Sequence, residues 1–480
     1  MGKPQRTPAA KFDEIPGELP HGTRTWLEGF DGCGHPDVAV TAATSNGGEN
    51  LNDDYDAIVV GGGQAGLFTT GRLKALGVRY VLLERRPEIG HVWATRYESL
   101  RWHTSKHYGA LPFGHTYPEE DDYMLPAKRI GAGHKAWVEK HGINVRTSTS
   151  VDSATWDEAT STWTVVASSP DGQHTMTAKN LVLAIGPGHL TPSRPDWAVP
   201  DKVAASGFKG TVLHGSEYKS SLAWSGQRGV VVGTANTGHD VAEDMANAGM
   251  QTTMVQRGAT FVFPAEWLHS SEDVMYNATI DPTQADREAF TYANKIMREI
   301  INRGVWKGIA GSPERFDDLE KAGFKVERYG DIYNNLYVRF GGHYVDIGAS
   351  ARIAKGEIKV KAQSVKALTK DGLLFDDGSE VPADLLVLAT GFDHDFRNDA
   401  ANVVGVDVAN QMDDFWGVDR EGEIIGHAKL AGLEYFQVVN QTVAFMDLRL
   451  PVCRPTLVLS RRRHTHGTFL FEIYCIADTG

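Results

Sequence analysis

Cysteine is scarce in this sequence, and its few cysteines lie far apart. Cys33, Cys453 and Cys475 are the three cysteines among the 480 residues. This spacing fits neither a disulfide framework nor a cluster of metal ligands. It also argues against a flavin disulfide reductase, because that chemistry needs a redox-active pair of cysteines. We therefore expect no metal site and no dithiol chemistry.

Long apolar runs and net positive charge are absent as well. No apolar run is long enough to span a bilayer, and the polar, proline-rich N-terminus lacks the apolar core of a signal peptide. The formal net charge of −13 argues against general affinity for nucleic acid or anionic lipid. These absences predict a cytoplasmic protein without a membrane span, whose partners are small molecules rather than nucleic acid.

The sequence does contain a repeated strand–loop–helix–strand pattern. Residues 55–60 (YDAIVV) form a short apolar run, GGGQAG follows at 61–66, and a helical pattern leads to a second apolar run, RYVLLE, at 79–84. A similar series begins with RGVVVG at 228–233 and ends with TTMVQR at 252–257. Two βαβ units of this kind predict an α/β protein with two Rossmann-like dinucleotide-binding domains.

The first glycine loop follows the G-x-G-x-x-G pattern between a strand and a helix. Its first glycine permits the tight turn, the second lets the backbone approach a diphosphate, and the third lets helix and strand pack closely. A carboxylate at the end of the next strand suits hydrogen bonds to ribose hydroxyls, so this unit is predicted to bind FAD. The expected contacts are Gly61, Gly63, Gln64, Ala65, Gly66, Glu84 and Arg85.

The second glycine loop differs at two points. Ala235 replaces the middle glycine, and the strand that follows ends in Arg257 instead of a carboxylate. A guanidinium can bind a 2′-phosphate through two hydrogen bonds, whereas a carboxylate would repel it, so this unit is predicted to bind NADPH. The alternative is that Arg257 is only a solvated charge at a strand end. The expected contacts are Gly233, Asn236, Thr237, Gly238 and Arg257.

Residues 208–218 (FKGTVLHGSEY) resemble the F-x-G-x-x-x-H-x-x-x-Y fingerprint of class B flavoprotein monooxygenases. Its fixed places are held by Phe208, Gly210, His214 and Tyr218. LVLATGF at 386–392 resembles the second signature of the family, the strand that closes the FAD domain, and the segments 344–350 and 358–361 are similar to fungal members. Over residues 54–432 the chain is thus similar to flavin-containing monooxygenases of the N,N-dimethylaniline monooxygenase type.

This resemblance implies an NADPH- and O₂-dependent enzyme of secondary metabolism that oxidises a small organic molecule through an FAD C4a-(hydro)peroxide. The implied chemistry is N- or S-oxygenation or oxidative decarboxylation, with Baeyer–Villiger oxygenation or an inactive nucleotide-binding remnant as alternatives. Tyr218 stands where Baeyer–Villiger members have tryptophan, and His103 where animal heteroatom-oxidising members have asparagine. The HTSK segment at 103–106 is similar to plant auxin-forming enzymes, which decarboxylate a 2-oxo acid.

The resemblance also suggests roles for single residues. Further flavin contacts are expected at Trp93, His103, Val151, Thr390 and Gly391. His103 and Asn236 are the candidate catalytic residues, although His103 is equally compatible with a core histidine. His214 is expected to form hydrogen bonds in the linker between the domains rather than to bind a ligand.

The predicted FAD domain is discontinuous, with the NADP domain inserted into it. The predicted ranges are an N-terminal arm at 1–53, the FAD domain at 54–200 and 336–433, the NADP domain with a helical insertion at 201–335, and an atypical C-terminal segment at 434–480. Residues 265–335 are expected to shape an apolar, partly aromatic pocket with Trp267, His269, Tyr276 and Trp306. A homodimer is compatible with the sequence.

The C-terminal segment departs from the family pattern. In the family, a Gly-Gly-Asn turn leads into a helix whose N-terminus points at the flavin and stabilises negative charge there. The chain follows that pattern through 422–432 (GEIIGHAKLAG), but no Gly-Gly turn comes next, and Pro451 and Pro455 break any helix. We therefore predict that FAD is bound weakly or heterogeneously.

Overall fold

The computed structural model describes most of the chain between residues 53 and 422. The described residues are 53–186, 191–282, 284–285, 294–339, 341–393, 396–412, 417–420 and 422, with short strands at 436–438, 456–457 and 473–474. The arm predicted for residues 1–53 lies outside this range apart from Asp53, as does most of the predicted C-terminal segment with its two prolines.

A first sheet carries the first glycine loop. Across this sheet the strand order is β3-β2-β1-β6-β5-β4; β1 lies parallel to β2 and to the end of β6, while β4, β5 and β6 are antiparallel. The strand Phe436–Val438 also pairs in parallel with the end of β6. The strands are β1 (Asp54–Val60), β2 (Tyr80–Leu83), β3 (Val145–Arg146), β4 (Ser150–Asp157), β5 (Thr162–Ser169) and β6 (Gly172–Leu183).

Three helices accompany this sheet, namely α1 (Gln64–Ala75), α2 (His91–Ala94) and α3 (Ala127–His141). Helix α1 begins directly after the glycine loop and ends where Gly77 adopts a positive φ of 70°. Phe68 of α1 and Trp137 of α3 pack in one core with Val59 and Leu82 of the parallel strands. The predicted first βαβ unit is therefore confirmed.

A second unit contains the next ten strands. Strands β12-β9-β8-β16-β7 form a parallel sheet, β10 pairs with β11, and β13, β14 and β15 form antiparallel hairpins. The strands are β7 (Thr211–His214), β8 (Arg228–Val232), β9 (Gln251–Val255), β10 (Phe261–Pro264), β11 (His343–Asp346), β12 (Ile358–Lys361), β13 (Val365–Leu368), β14 (Gly372–Phe375), β15 (Glu380–Pro382) and β16 (Leu385–Leu388).

The helices of the second unit include the predicted helical insertion. Helix α5 follows the second glycine loop and buries Val241 and Met245 against Val231 of β8. Helices α7 and α8 lie within residues 201–335, where the sequence predicts a helical insertion. The helices are α4 (Pro200–Ser206), α5 (Asn236–Asn247), α6 (Ala265–Glu272), α7 (Asn294–Gly311), α8 (Pro313–Lys321), α9 (Ile332–Tyr337) and α10 (Ala349–Ala354).

One strand lies in a different sheet from the predicted one. The LVLATGF segment was expected to close the FAD domain, yet β16 pairs in parallel with β8 and β7 of the second sheet. The predicted domain boundary at residue 336 is therefore wrong, since the second unit continues to residue 389. The apolar strands at 181–186 (LVLAIG) and 386–391 (LVLATG) have almost the same sequence. Each is buried beside the strand that precedes a glycine loop, so composition alone does not assign either strand to a sheet.

The chain then returns to the first unit. Helix α11 (Phe396–Val404) and the short helix α12 (Val406–Ala409) follow, and Phe396 packs with Leu181 in the core of the first sheet. The second unit is thus an insertion between residues 193 and 390. Among the described residues, no helix combines the length and the apolar character that crossing a lipid bilayer requires.

Candidate active site

The first glycine loop leaves open space where a diphosphate would approach. Gly61 has a φ of 107°, and a Cβ added there would lie 2.4 Å from the carbonyl oxygen of Ala184. A Cβ added at Gly66 would lie 1.9 Å from the carbonyl oxygen of Gly61, whereas one added at Gly63 meets no atom of the described residues within 4 Å. Gly61 and Gly66 are therefore required by the fold itself, whereas Gly63 lies at the N-terminal end of α1, where a diphosphate is expected to bind.

Glu84 is held beside this loop by the backbone. Its Oε2 accepts a hydrogen bond from the amide of Gly62 at 2.6 Å, and its Oε1 accepts one from the amide of Arg86 at 2.7 Å. Each carboxylate oxygen keeps a further acceptor site, so Glu84 can still receive ribose hydroxyls. Arg85, the neighbouring residue expected to contact the cofactor, is exposed.

The second glycine loop repeats this geometry. Gly233 has a φ of 119°, and a Cβ added there would lie 2.2 Å from the carbonyl oxygen of Ala389. A Cβ at Gly238 would lie 2.1 Å from the carbonyl oxygen of Gly233. Asn236 begins α5, and its Oδ1 accepts a hydrogen bond from the amide of Val345 at 2.9 Å. Because its side-chain oxygen is already bound to β11, Asn236 is fixed at the mouth of the loop.

A positive charge lies at the end of β9. Arg257 is exposed, and the preceding Gln256 is buried. The Gln256 side chain accepts a hydrogen bond from the amide of Lys325 at 2.7 Å and donates one to its carbonyl oxygen at 2.8 Å. This pairing brings the exposed Lys325 close to the end of β9, a proximity that sequence spacing did not reveal. The position suits a phosphate group.

The fingerprint residue His214 joins the two units. Its Nε2 donates a hydrogen bond to the carbonyl oxygen of Gly391 at 2.9 Å, and its Nδ1 accepts one from the amide of Ser216 at 3.2 Å. Burial lowers the pKa of His214, which favours the neutral ring that this pattern needs. The structure thus places His214 at the end of β7, where it is hydrogen-bonded to the segment that connects the two units.

The other fingerprint residues brace the same region. Tyr218 is fully buried, and its hydroxyl donates a hydrogen bond to the carboxylate of Asp244. A Cβ added at Gly210 would lie 2.6 Å from the carbonyl oxygen of Asp384 and 2.6 Å from the Phe208 ring. The fingerprint therefore describes packing between β7, β16 and α5 rather than a set of acid–base groups.

Thr390 and Gly391 lie where the chain crosses back between the units. The Thr390 hydroxyl donates a hydrogen bond to the carbonyl oxygen of Ser193 at 2.5 Å, and the amide of Ser193 donates one to the carbonyl oxygen of Gly391 at 3.0 Å. Pro192 and Phe392 form an antiparallel bridge beside them. The two segments that connect the units, 192–193 and 390–392, therefore lie side by side and are hydrogen-bonded to each other.

His103 lies between the units. It belongs to the first unit, and its Nε2 donates a hydrogen bond to Oδ1 of Asp240 on α5 at 3.2 Å. Oδ2 of Asp240 accepts a hydrogen bond from the hydroxyl of Tyr97 at 2.7 Å. Tyr97 and Asp240 are buried and the His103 side chain is 9% exposed; burial, with Asp240 beside it, raises the pKa of Tyr97 well above its usual range. Sequence reasoning singled out His103 but missed Tyr97 and Asp240, because 137 residues separate His103 from its partner.

The comparisons with known proteins agree with this geometry. A sequence profile described as pyridine nucleotide-disulphide oxidoreductase matches residues 55–281. The indole-3-pyruvate monooxygenase YUCCA1 of Oryza sativa subsp. japonica is 30% identical over 340 residues, which cover 70% of this chain and 76% of that protein. The chain belongs to the flavin-containing monooxygenase family. None of its cysteines lies within the residues that the oxidoreductase profile matches, so that profile describes the fold and not dithiol chemistry.

Solved structures of flavin monooxygenases share this fold. The flavin-containing monooxygenase from Stenotrophomonas maltophilia superposes with a TM-score of 0.54 at 15% identity, covering 83% of this chain and 96% of that chain. Cyclohexanone monooxygenase from Rhodococcus sp. Phi1 bound to NADP⁺ gives 0.55 at 17% identity, covering 82% of each chain. As a flavin-containing monooxygenase, the protein uses a flavin, NADPH and O₂ to oxidise a small organic molecule.

The residues around the first loop fit a flavin. Several buried polar atoms have no hydrogen-bond partner among the described residues, and such atoms usually mark a missing ligand or water. These atoms are Gln64 Oε1, Trp93 Nε1, Arg96 Nε, His103 Nδ1 and Thr104 Oγ1. They belong to the start of α1, to α2 and to the segment that follows α2, which the resemblance assigns to the flavin. Within the described part of the chain, no group of three or more metal-ligating side chains is close enough to hold a metal ion.

The remaining predicted residues lie at several separate places in the structure. His269 of α6 donates a hydrogen bond from Nε2 to the carbonyl oxygen of His103 at 3.0 Å, and the Tyr276 ring contacts the Tyr108 ring with centroids 4.9 Å apart. These two side chains therefore contact the segment after α2, which is expected to line the flavin. Trp267 and Trp306 pack within the helical insertion, and the half-buried Val151 lies at the start of β4 in the first core. Ala65 is buried in α1 and Thr237 lies at the start of α5.

Proposed function

We propose that the enzyme binds FAD in its first unit and NADPH in its second, and that it oxidatively decarboxylates a 2-oxo acid. The observation that carries the proposal is His103, whose Nε2 is hydrogen-bonded to Asp240 of α5 while its buried Nδ1 is unpartnered among the described residues. It belongs to an HTSK segment similar to plant auxin-forming enzymes. The relatives compared, at 26–30% identity, are named as established or probable indole-3-pyruvate monooxygenases.

Charge supports the assignment of the two nucleotides. Glu84 presents a carboxylate at the end of β2, which suits ribose hydroxyls and repels a 2′-phosphate. Arg257 presents an exposed guanidinium at the end of β9, which attracts a 2′-phosphate. FAD, which lacks that phosphate, therefore belongs to the first unit, and NADPH to the second.

The protein supplies binding, orientation and exclusion of water. When bound, the reduced flavin supplies the activation of O₂. The two glycine loops would hold the diphosphates against the mouths of α1 and α5, and the Trp93 indole, packed edge-on against Trp102 with ring centroids 5.8 Å apart, would shield the ring. His103 would take up a proton at Nδ1, the ring nitrogen that has no hydrogen-bond partner among the described residues.

A probe screen tests this proposal. Purified protein is mixed with NADPH in air and with indole-3-pyruvate, N,N-dimethylaniline, thioanisole or cyclohexanone, and the products are identified by mass spectrometry. We expect indole-3-pyruvate to lose carbon dioxide and gain one oxygen. If the amine or the sulfide gains oxygen and the 2-oxo acid is untouched, the enzyme is a heteroatom oxygenase and the proposal is wrong; a lactone from cyclohexanone would indicate Baeyer–Villiger chemistry.

The variant His103→Asn is the matched control, because it introduces the residue of heteroatom-oxidising members at the same place. We expect it to keep NADPH oxidation in air and to lose about 100-fold in the rate of decarboxylation. If the rate of decarboxylation is unchanged in this variant, His103 takes no part in the reaction.

A further inference from the structure

Asp240 connects the two units through a single carboxylate. Tyr97 and His103 reach it from the segment that follows α2, one on each oxygen, at 2.7 Å and 3.2 Å. Asp240 itself lies on the second turn of α5, directly behind the loop predicted to bind NADPH. It is 7% exposed, so water does not compete for these hydrogen bonds.

This arrangement determines which ring nitrogen of His103 carries the proton. A carboxylate only accepts hydrogen bonds, so the Nε2 that faces it must carry a hydrogen. In the neutral ring the other nitrogen, Nδ1, then has a free lone pair. Nδ1 is buried and has no hydrogen-bond partner among the described residues.

The surroundings keep the ring in this orientation. His269 binds the carbonyl oxygen of His103 at 3.0 Å, and the ring of Tyr344 lies edge-on to the imidazole with centroids 6.4 Å apart. Tyr344 is stacked on His239, the neighbour of Asp240 on α5, with ring centroids 3.6 Å apart. Both the backbone and the ring of His103 are therefore held by the second unit.

We propose that Asp240 is a positioning residue that holds His103 in the tautomer with hydrogen on Nε2, and so keeps Nδ1 free to accept a proton during turnover. This inference rests on the proposed function.

Each turnover converts NADPH, one proton, O₂ and a 2-oxo acid into NADP⁺, water, carbon dioxide and the shortened acid. O₂ takes two electrons from NADPH and two from the 2-oxo acid. Nδ1 takes up the proton and returns it to the oxygen that leaves as water.

The variant Asp240→Asn should invert the tautomer. The Tyr97 hydroxyl donates to one side of residue 240, so the amide oxygen of the variant will face Tyr97 and the amide NH₂ will face His103. Nε2 must then accept a hydrogen bond, which moves the ring proton to Nδ1. Adding Tyr97→Phe removes that donor and lets the amide turn its oxygen towards His103, so the double variant should regain the original tautomer. A merely structural role for Asp240 gives no reason for such a rescue.

Two measurements on the full-length protein test the proposal. Nitrogen NMR at about pH 8, where a histidine ring is neutral, identifies the protonated ring nitrogen of His103 once the spectrum of His103→Gln has assigned its signals. Carbon dioxide release from indole-3-pyruvate gives the rate. We expect Asp240→Asn to protonate Nδ1 and to lower the rate about 100-fold. Tyr97→Phe alone should keep the hydrogen on Nε2, because residue 240 is still a carboxylate, and the double variant should recover at least about tenfold of the rate lost in Asp240→Asn.

The proposal is overturned if Asp240→Asn leaves the ring nitrogens as in the wild type, or if the double variant regains the tautomer without regaining rate. A wild-type protein that releases no carbon dioxide contradicts the proposed function instead. The NMR comparison, which needs no turnover, still decides in that case whether Asp240 sets the tautomer. Thermal unfolding of each variant confirms that it is folded.

Discussion

At the scale of single residues, the glycines of the first loop serve different purposes. Gly66 allows α1 to approach the strand before it, because any side chain there would overlap the carbonyl group of Gly61. Gly63, in contrast, has an ordinary negative φ of −73°, and within the described part of the chain no atom lies within 4 Å of the place its Cβ would take. Only an approaching ligand gives this second position a reason to lack a side chain.

Two alanine variants separate these purposes. Gly66→Ala should destabilise the fold by about 2–3 kcal/mol through overpacking, and its flavin content should fall with its stability. Gly63→Ala should unfold at the wild-type temperature and yet purify without flavin, because its methyl group occupies the diphosphate position. Thermal unfolding and flavin absorbance measure the two effects. Equal flavin content in Gly63→Ala and the wild type would show that the diphosphate lies elsewhere.

Arg257 should set the preference between the two nicotinamide nucleotides. Replacing it with alanine removes the cation at the end of β9, and the KM for NADPH should rise at least about tenfold. The KM for NADH should stay unchanged, because NADH has no 2′-phosphate. Steady-state kinetics with both nucleotides measure the ratio, and Arg257→Lys serves as the control that keeps the charge. If the KM values for NADPH and NADH rise equally, Arg257 does not bind the 2′-phosphate and is only a solvated charge at a strand end.

At the scale of elements, α3 carries a histidine that must stay neutral. Neither ring nitrogen of His134 has a partner among the described residues, and burial lowers its pKa to about 4. An unfolded histidine titrates near about 6.5. Below that pH the unfolded chain gains a proton that the folded chain excludes, so stability is complete above about pH 6.5 and falls as the pH drops towards 4.

His134→Leu should therefore stabilise the protein more at low pH. At about pH 5 the gain should exceed the gain at about pH 7.5 by about 2 kcal/mol, as urea unfolding at both values can measure. The wild-type protein, unfolded in urea at the same two pH values, is the reference for both gains. A His134→Leu effect independent of pH would mean that the ring is charged or paired in the folded protein.

The elements nearest the glycine loops were predictable from the sequence, and the more distant pairings were not. The β1–α1–β2 unit follows from apolar runs, a glycine loop and the helix stop at Gly77, which are all local signals. The sequence does not reveal which sheet contains β16. The end of β6 and β16 have nearly identical apolar sequences, and each pairs with a strand that precedes a glycine loop. The contact of Asp240 with His103 depends on how two separate units dock, so residue spacing carries no signal for it.

At the scale of the whole molecule, retention of the flavin is the most direct test of the C-terminal segment. That segment lies largely outside the described residues, and its sequence lacks the turn and helix that support the flavin in the family. We expect the purified protein to carry less than one flavin per chain and to lose more on dilution. Absorbance of released flavin against protein concentration measures this, and tightly held, stoichiometric FAD would refute it.

The two connecting segments that meet at Pro192 and Phe392 determine what would be left if the second unit were removed. Because the second unit starts and finishes at neighbouring points, its removal would leave two ends that a short turn of a few residues can join. Strand β6 and helix α11, on either side of the cut, already pack in one core. The first unit would thus keep its sheet, its glycine loop and both of its cores on one shortened chain.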